Sequence, residues 1–284
     1  MPIQKLQAVH LAELYAKLLR EGRKGGNPQV NPGLSPRTVG HVHRVIHKAL
    51  TVAVEWGVTQ RNVAEIAKPP KVQGAELEIL PEDKAKALMQ ALKGRALYPL
   101  ALLGLATGMR RGELLALRWC DVDLDGGKLR VEQSIEQTKG GLRFKAPKTN
   151  HGRRSIKLPA SVVSELRAHR KHQQEGRLRL GLGKASDDAL VFAKWDGTPR
   201  SPNGTTREWA RLMAELKFAA IGLHALRHTH ASQLIASGMD VLAVSRRLGH
   251  GSPTITLGVY GHLYGNSDDR AAQVIEAAFG QLGE

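Results

Sequence analysis

The run Leu97–Ala106 (LYPLALLGLA) is the feature that most restricts the fold. It carries no charge and reaches only half the roughly 20 residues of a membrane span. It therefore reads as part of a helix, Arg95 to Thr107, that is buried on all sides. A helix of that kind needs apolar neighbours around it. Aromatic residues make up only 4 % of the chain against 42 % apolar residues overall, so Leu, Ala, Val and Ile must build that core.

The elements around it follow from periodicity and punctuation. Residues 9 to 21 have Leu11, Leu14, Tyr15 and Leu18 on one helical stripe. Gly22 to Gly33 reads as a loop, after which Ser35-Pro36 supplies an N-cap and a first-turn proline. The helix that follows carries Val39, Val42, Ile46, Ala49, Leu50 and Ala53 on one side, with Arg37, His41, Arg44 and Lys48 elsewhere on its surface. A basic face of this kind suits a DNA backbone and equally suits plain solvent. Residues 67 to 79, with Pro69-Pro70 and Gly74, read as a linker between a small helical domain (1–66) and a larger one (80–265).

In the larger part, Gly108 interrupts the buried helix and a short helix starts near Arg110. Leu129, Val131 and Ile135 alternate as in a strand, a second strand lies near Leu142 to Lys145, and a third runs from Arg154 to Leu158. The expectation is one small antiparallel sheet, with Lys148 to Gly152 as the turn between its last two strands. Helices are expected over Ala160 to Arg177, Pro202 to Lys217, 224–237, 240–248 and 252–262, with a short strand over Ala189 to Phe192. Residues 266–284 form a tail whose amphipathic helix has Ala271, Val274, Ile275, Ala278 and Phe279 on one side. The fold class is mainly α with a small antiparallel β-sheet (α+β).

Charge narrows the partner. The 284 residues hold 42 Lys+Arg against 26 Asp+Glu, a formal charge of +16 and a pI near 10.2. Such an excess predicts a polyanion, nucleic acid before a membrane surface. Cys120 is the only cysteine, which excludes an internal disulfide and a cysteine-based zinc site and fits a reducing, cytoplasmic compartment.

The chemistry is concentrated between His224 and Tyr260. His224 and Arg227 share a helical face, His250 follows Leu248-Gly249, and Tyr260 comes ten residues later. Opening a DNA strand without hydrolysis needs a protein nucleophile, cations on the non-bridging oxygens and an acid for the departing oxygen. Tyrosine can be that nucleophile, arginine the fork-shaped clamp and lysine the acid. Arg110 at a helix start and Lys148 on a turn complete the list of candidates. His224 and His228, with His230 nearby, are also spaced as metal ligands can be, but no HExxH pattern or cysteine pair accompanies them. No cofactor and no metal is expected.

These residues stand in blocks: TGMRRGE from Thr107, Pro147-Lys148-Thr149, HALRHT from His224, Leu248-Gly249-His250, and Thr256 to His262. In order and spacing over residues 80–265 the chain resembles the tyrosine recombinases of the phage integrase type, and more weakly so in its N-terminal part. The resemblance implies a helical, SAM-like core-DNA-binding domain before a catalytic domain. It implies that Arg110 and Arg227 clamp the scissile phosphate, and that Lys148 protonates the 5′ oxygen. His224 would accept the phenolic proton, His250 would hydrogen-bond the phosphate, and Tyr260 would attack to leave a 3′-phosphotyrosine. Glu113 would be an orienting acid. It further implies a tetramer on double-stranded DNA, docking of the C-terminal helix on a neighbour, and in some systems an accessory DNA-bending protein. Relatives often begin with an extra arm-binding domain, which the few residues before Val9 could not form, so a truncated or minimal form is expected. Tyr264 is the rival nucleophile, and Val63 stands where a proline is usual. A DNA-relaxing enzyme of type IB chemistry and a non-catalytic DNA-binding protein are the competing readings.

Overall fold

The computed structural model describes residues 1–22, 32–72, 77–147, 152–218, 221–264 and 268–279. The expected loop after Gly22, the middle of the linker, the Lys148 turn and the end of the tail fall largely outside these residues. The chain forms two compact units, Met1–Glu76 and Leu77–Glu284.

The first unit packs α1 (Ala8–Glu21) against α2 (Pro36–Glu55). Ser35 caps α2 by accepting the Thr38 amide at 3.2 Å, and Pro36 opens it. Leu11, Tyr15, Val39, Leu50, Val63, Ala64 and Ala67 form the core. Ala49, expected on the apolar side, is exposed. The turn at Val63 closes well without proline. The Asn62 amide donates to His47 O and Thr51 Oγ1, its oxygen accepts the Ala64 amide at 3.0 Å, and the Val63 side chain enters the core. Arg37, His41, Arg44 and Lys48 are all exposed on α2.

The second unit begins with α3 (Glu82–Leu92), α4 (Tyr98–Thr107) and α5 (Arg111–Ala116). As its composition requires, α4 is central. Leu100 and Leu103 join a core with Leu115, Trp119, Leu129, Ile156 and Leu166, while Leu97 and Ala101 join a second with Leu88, Leu92, Trp209 and Met213. Among the described residues no helix is long and apolar enough to cross a membrane.

The strands β1 (Val122–Asp123), β2 (Lys128–Val131), β3 (Ser134–Thr138), β4 (Gly141–Lys145) and β5 (Arg154–Lys157) correct the expectation of one sheet. Two antiparallel sheets form, β1-β2-β5 and the separate hairpin β3-β4. Residues 129–131 and 135 belong to different strands, because the chain leaves the ladder at Glu132 and Gln133, where the Gln133 amide donates to Ala116 O at 2.8 Å. Leu129 faces Ile156 across β2 and β5, both buried, whereas Ile135 faces Phe144, which is 40 % exposed. β4 has no core face of its own and folds back on β3. The segment holding Lys148 therefore joins strands of two sheets rather than two paired neighbours. The strand expected at Ala189 to Phe192 is reduced to isolated bridges, Arg118 with Leu190 and Ala193 with Pro199.

The remaining helices are α6 (Ala160–Arg179), α7 (Pro202–Glu215), α8 (Leu223–Ala236), α9 (Val241–Leu248), α10 (Pro253–Tyr260) and α11 (Asp268–Phe279). Caps explain several of their starts: Ser201, Asp240 and Ser252 each accept a first-turn amide. On α11, Ile275 and Phe279 are 58 % and 56 % exposed; the side chains of Ala271 and Val274 lie outside those described.

Candidate active site

Arg227 is the pivot. It sits on α8 with 3 % of its surface exposed, and among the described residues its hydrogen bonds go to carbonyls, not to a carboxylate. Its guanidinium donates to Gly108 O and, at 2.9 Å, to Leu248 O. Those carbonyls are available because α4 and α9 both end on left-handed glycines, Gly108 at φ 64° and Gly249 at φ 67°. A side chain at Gly108 would meet His230 and Leu248 at 2.7 Å, and one at Gly249 would meet the Arg154 guanidinium at 2.6 Å. Both motif glycines are therefore set by close approach as well as by φ. Burial, with Arg110 beside it, pushes Arg227 down to about 10, which still leaves it charged at neutral pH.

Arg110 is the N-cap of α5. Its amide and one guanidinium nitrogen donate to Glu113 at 2.9 and 2.8 Å, and the other nitrogen reaches Gly249 O at 3.0 Å. Glu113 also accepts from Arg154 of β5 at 2.8 Å, and Arg154 Nε donates to Arg247 O. Burial alone would raise the Glu113 carboxyl, but the bonds and charges of Arg154 and Arg110 outweigh it and hold it below its usual range. Two guanidinia thus grip one carboxylate, and that of Arg227 stands within electrostatic reach of all three groups. The local balance is about two positive charges in excess, in a partly dry place where their mutual repulsion is costly. An anion entering there relieves it.

His250 follows Gly249 with 9 % of its surface exposed, and its Nδ1 pairs with Thr256 Oγ1 at 2.8 Å. Burial, then Arg227, Arg110 and Arg154, push it down to about 4, so the ring is neutral at physiological pH. His224, exposed at the start of α8, is likewise lowered to about 4 by partial desolvation and by His228, Arg227, Arg110 and Arg111. Tyr260 ends α10 with 1 % exposed, among Ala231, Ile235, Val244 and Leu248. Its hydroxyl pairs with Nδ1 of His228 at 2.8 Å. Burial pushes the phenol up, against the pull of Arg227.

The structure brings Arg110, Glu113, Arg227 and His250 into one bonded or electrostatically linked group, with Tyr260 and His224 tied to it through Arg227. Lys148 lies outside the described residues. Arg37, His41, Arg44 and Lys48 belong to the other unit. Among the described residues, the buried hydroxyl of Tyr264, the rival of Tyr260, has no hydrogen-bond partner. Two members of the group carry no motif role in the sequence. Arg154 is signalled only by alternation: it shares a strand face with the core residue Ile156, so it must point inward. His228 is signalled by standing four residues after His224 on one helix face. Among the described residues, no cluster of three or more His, Cys, Asp or Glu could hold a metal ion.

Comparison with known proteins shows the family and the fold. The model of the phage integrase family matches residues 78–266. A tyrosine recombinase XerC-like protein of Caldanaerobacter subterraneus subsp. tengcongensis is 27 % identical over 98 % of this chain and 73 % of its own length. The first curated relatives are spanned over 66–73 % of their lengths. In fold, the chain resembles the Tn1549 transposon integrase in complex with a circular intermediate DNA, with a TM-score of 0.76 and 20 % identity over 98 % of this chain and 87 % of that one. It also resembles the lambda integrase tetramer bound to a Holliday junction, with a TM-score of 0.59 and 19 % identity over 89 % of this chain and 66 % of that one.

Proposed function

The chain belongs to the phage integrase family of site-specific tyrosine recombinases, and we propose that its own reaction cuts and rejoins DNA strands through a covalent 3′-phosphotyrosine at Tyr260. The observation that carries this reading is the surplus of positive charge around Glu113. A scissile phosphodiester supplies the missing negative charge, and its non-bridging oxygens suit the forks of Arg110 and Arg227. Glu113 holds Arg110 and Arg154 in place, and His250, neutral, donates a hydrogen bond to the phosphate. Lys148 is the proposed acid for the departing 5′ oxygen. Because the ester is kept in the covalent link, a second strand's 5′ hydroxyl can reverse the step, so the chemistry calls for neither ATP nor metal. Catalysis is then mainly positioning and charge stabilisation.

The rest of the assembly follows as part of the same proposal. Residues 1–66 form a core-DNA-binding domain that lays Arg37, His41, Arg44 and Lys48 of α2 along the backbone, residues 67–79 link it to the catalytic domain at 80–265, and the tail from 266 reaches a neighbouring protomer. Four copies assemble on two duplexes, a reading supported by the exposed Ile275 and Phe279 of α11 and by the tetrameric lambda integrase of similar fold. An accessory DNA-bending protein is a further candidate partner.

A suicide substrate, nicked beside the cleavage point, tests the reading. The unaltered chain is expected to trap a covalent protein–DNA adduct. Tyr260→Phe abolishes the adduct and leaves DNA binding intact, and Arg110→Ala slows its formation by roughly 10²–10³-fold. An adduct formed by Tyr260→Phe contradicts the assignment.

A further inference from the structure

We infer that the proton leaving the Tyr260 phenol passes to Nδ1 of His228, and that His224 acts one step removed, by positioning the His228 ring. This rests on the strand-cleaving reading above and departs from the family resemblance, which gives the acceptor role to His224.

Three observations carry it. Among the described residues, the hydrogen-bond partner of the phenol is His228, at 2.8 Å, within the range a direct proton transfer needs. The two rings meet at an angle of 60° with centroids 5.7 Å apart. His224 meets His228 edge-on, with centroids 4.7 Å apart and planes at 88°, so it packs against the ring that touches the phenol. The pair is also near the phosphate clamp. His228 follows Arg227 in the chain, and Tyr260 feels the charge of Arg227. The phenol and its partner therefore stand beside the residue proposed to hold the phosphate. A neutral His228 with its hydrogen on Nε2 leaves Nδ1 free to accept.

The step balances. The O–H bond of Tyr260 breaks and its proton goes to His228 Nδ1. The oxygen's electron pair forms the bond to phosphorus, the bond from phosphorus to the 5′ oxygen breaks, and that oxygen takes its proton from the acid, assigned above to Lys148. In the rejoining step the phenolate leaves and recovers the proton from the His228 imidazolium.

The test compares single-turnover adduct formation on the nicked substrate for the unaltered chain, His228→Ala, His228→Gln and His224→Gln, with DNA affinity measured alongside. Both His228 variants are expected to lose roughly a hundredfold or more in cleavage rate at near-normal affinity. Glutamine fills the same space and makes hydrogen bonds but is no base, so it keeps the test meaningful if the alanine variant folds poorly. Added imidazole is expected to restore part of the rate to His228→Ala. His224→Gln is expected to lose less than His228→Gln. In the DNA-free protein, the ring-nitrogen NMR signal of His228 should move in Tyr260→Phe while that of His224 stays. A normal rate in His228→Gln, or a larger loss in His224→Gln, overturns the inference and leaves strand cleavage standing. Failure of the unaltered chain to form any adduct removes the cleavage reading and this inference together.

Discussion

Arg227 shows how a single residue can be costly to the fold and useful to the reaction. Its burial against two carbonyls, with Arg110 and Arg154 nearby, is tolerable only because Glu113 offsets part of the charge. Two buried histidines bear a related cost. His230 accepts from Arg247 Nε at 3.0 Å and pairs with Leu105 O, and burial with Arg247 beside it lowers it to about 4; His250 is lowered to about 4 as well. The unfolded chain binds protons at these rings near pH 6.5, whereas the folded one does so only near pH 4. Between those values the unfolded state holds more protons, so stability is full above pH 6.5, falls as pH drops through the window and levels off below it. The more deeply buried His230 contributes on the order of 3 kcal/mol to that fall and His250 less, since solvent screens it more. Thermal melts between pH 7.5 and 4 should show the decline, and His230→Gln should flatten it. A melting temperature unchanged over this range contradicts the neutral, buried rings. At this scale much of the candidate site is legible in the sequence, because the reaction limits the residue types and the order of the motif blocks resembles the family's. Arg154 is less so: one arginine among 42 Lys+Arg looks like surface charge until its strand face is known.

At the scale of elements, helix ends position the site. α4 and α9 stop on left-handed glycines, and their last carbonyls hold Arg227 while Gly249 O holds Arg110. Gly249→Ala must therefore take up an unfavourable φ and push back the Arg154 guanidinium, which Glu113 and Arg247 O hold in place. The expected cost is about 1–2 kcal/mol of stability, with a cleavage loss larger than the instability explains, because Arg110 shifts with its carbonyl partner. Equal melting temperature and equal cleavage rate in the variant would show that the glycine is dispensable. Helices were the legible elements, since their stripes and caps are local: Ser35-Pro36 and Pro202 mark their starts plainly. The division of the strands into two sheets was not legible. Pairing is a non-local choice, and nothing in the alternation of Leu129, Val131 and Ile135 shows that the chain turns away at Gln133.

For the whole molecule, the formal charge of +16 and the apolar run Leu97–Ala106 point to a polyanionic partner and a helical core. The family match over residues 78–266 is in keeping with both. The account depends on one covalent bond. The adduct trapped on a nicked substrate can be digested to a short oligonucleotide–peptide and mapped by tandem mass spectrometry. The account predicts that the DNA 3′ phosphate is carried on the Tyr260 hydroxyl; a phosphate mapped to Tyr264 or to any other side chain contradicts it.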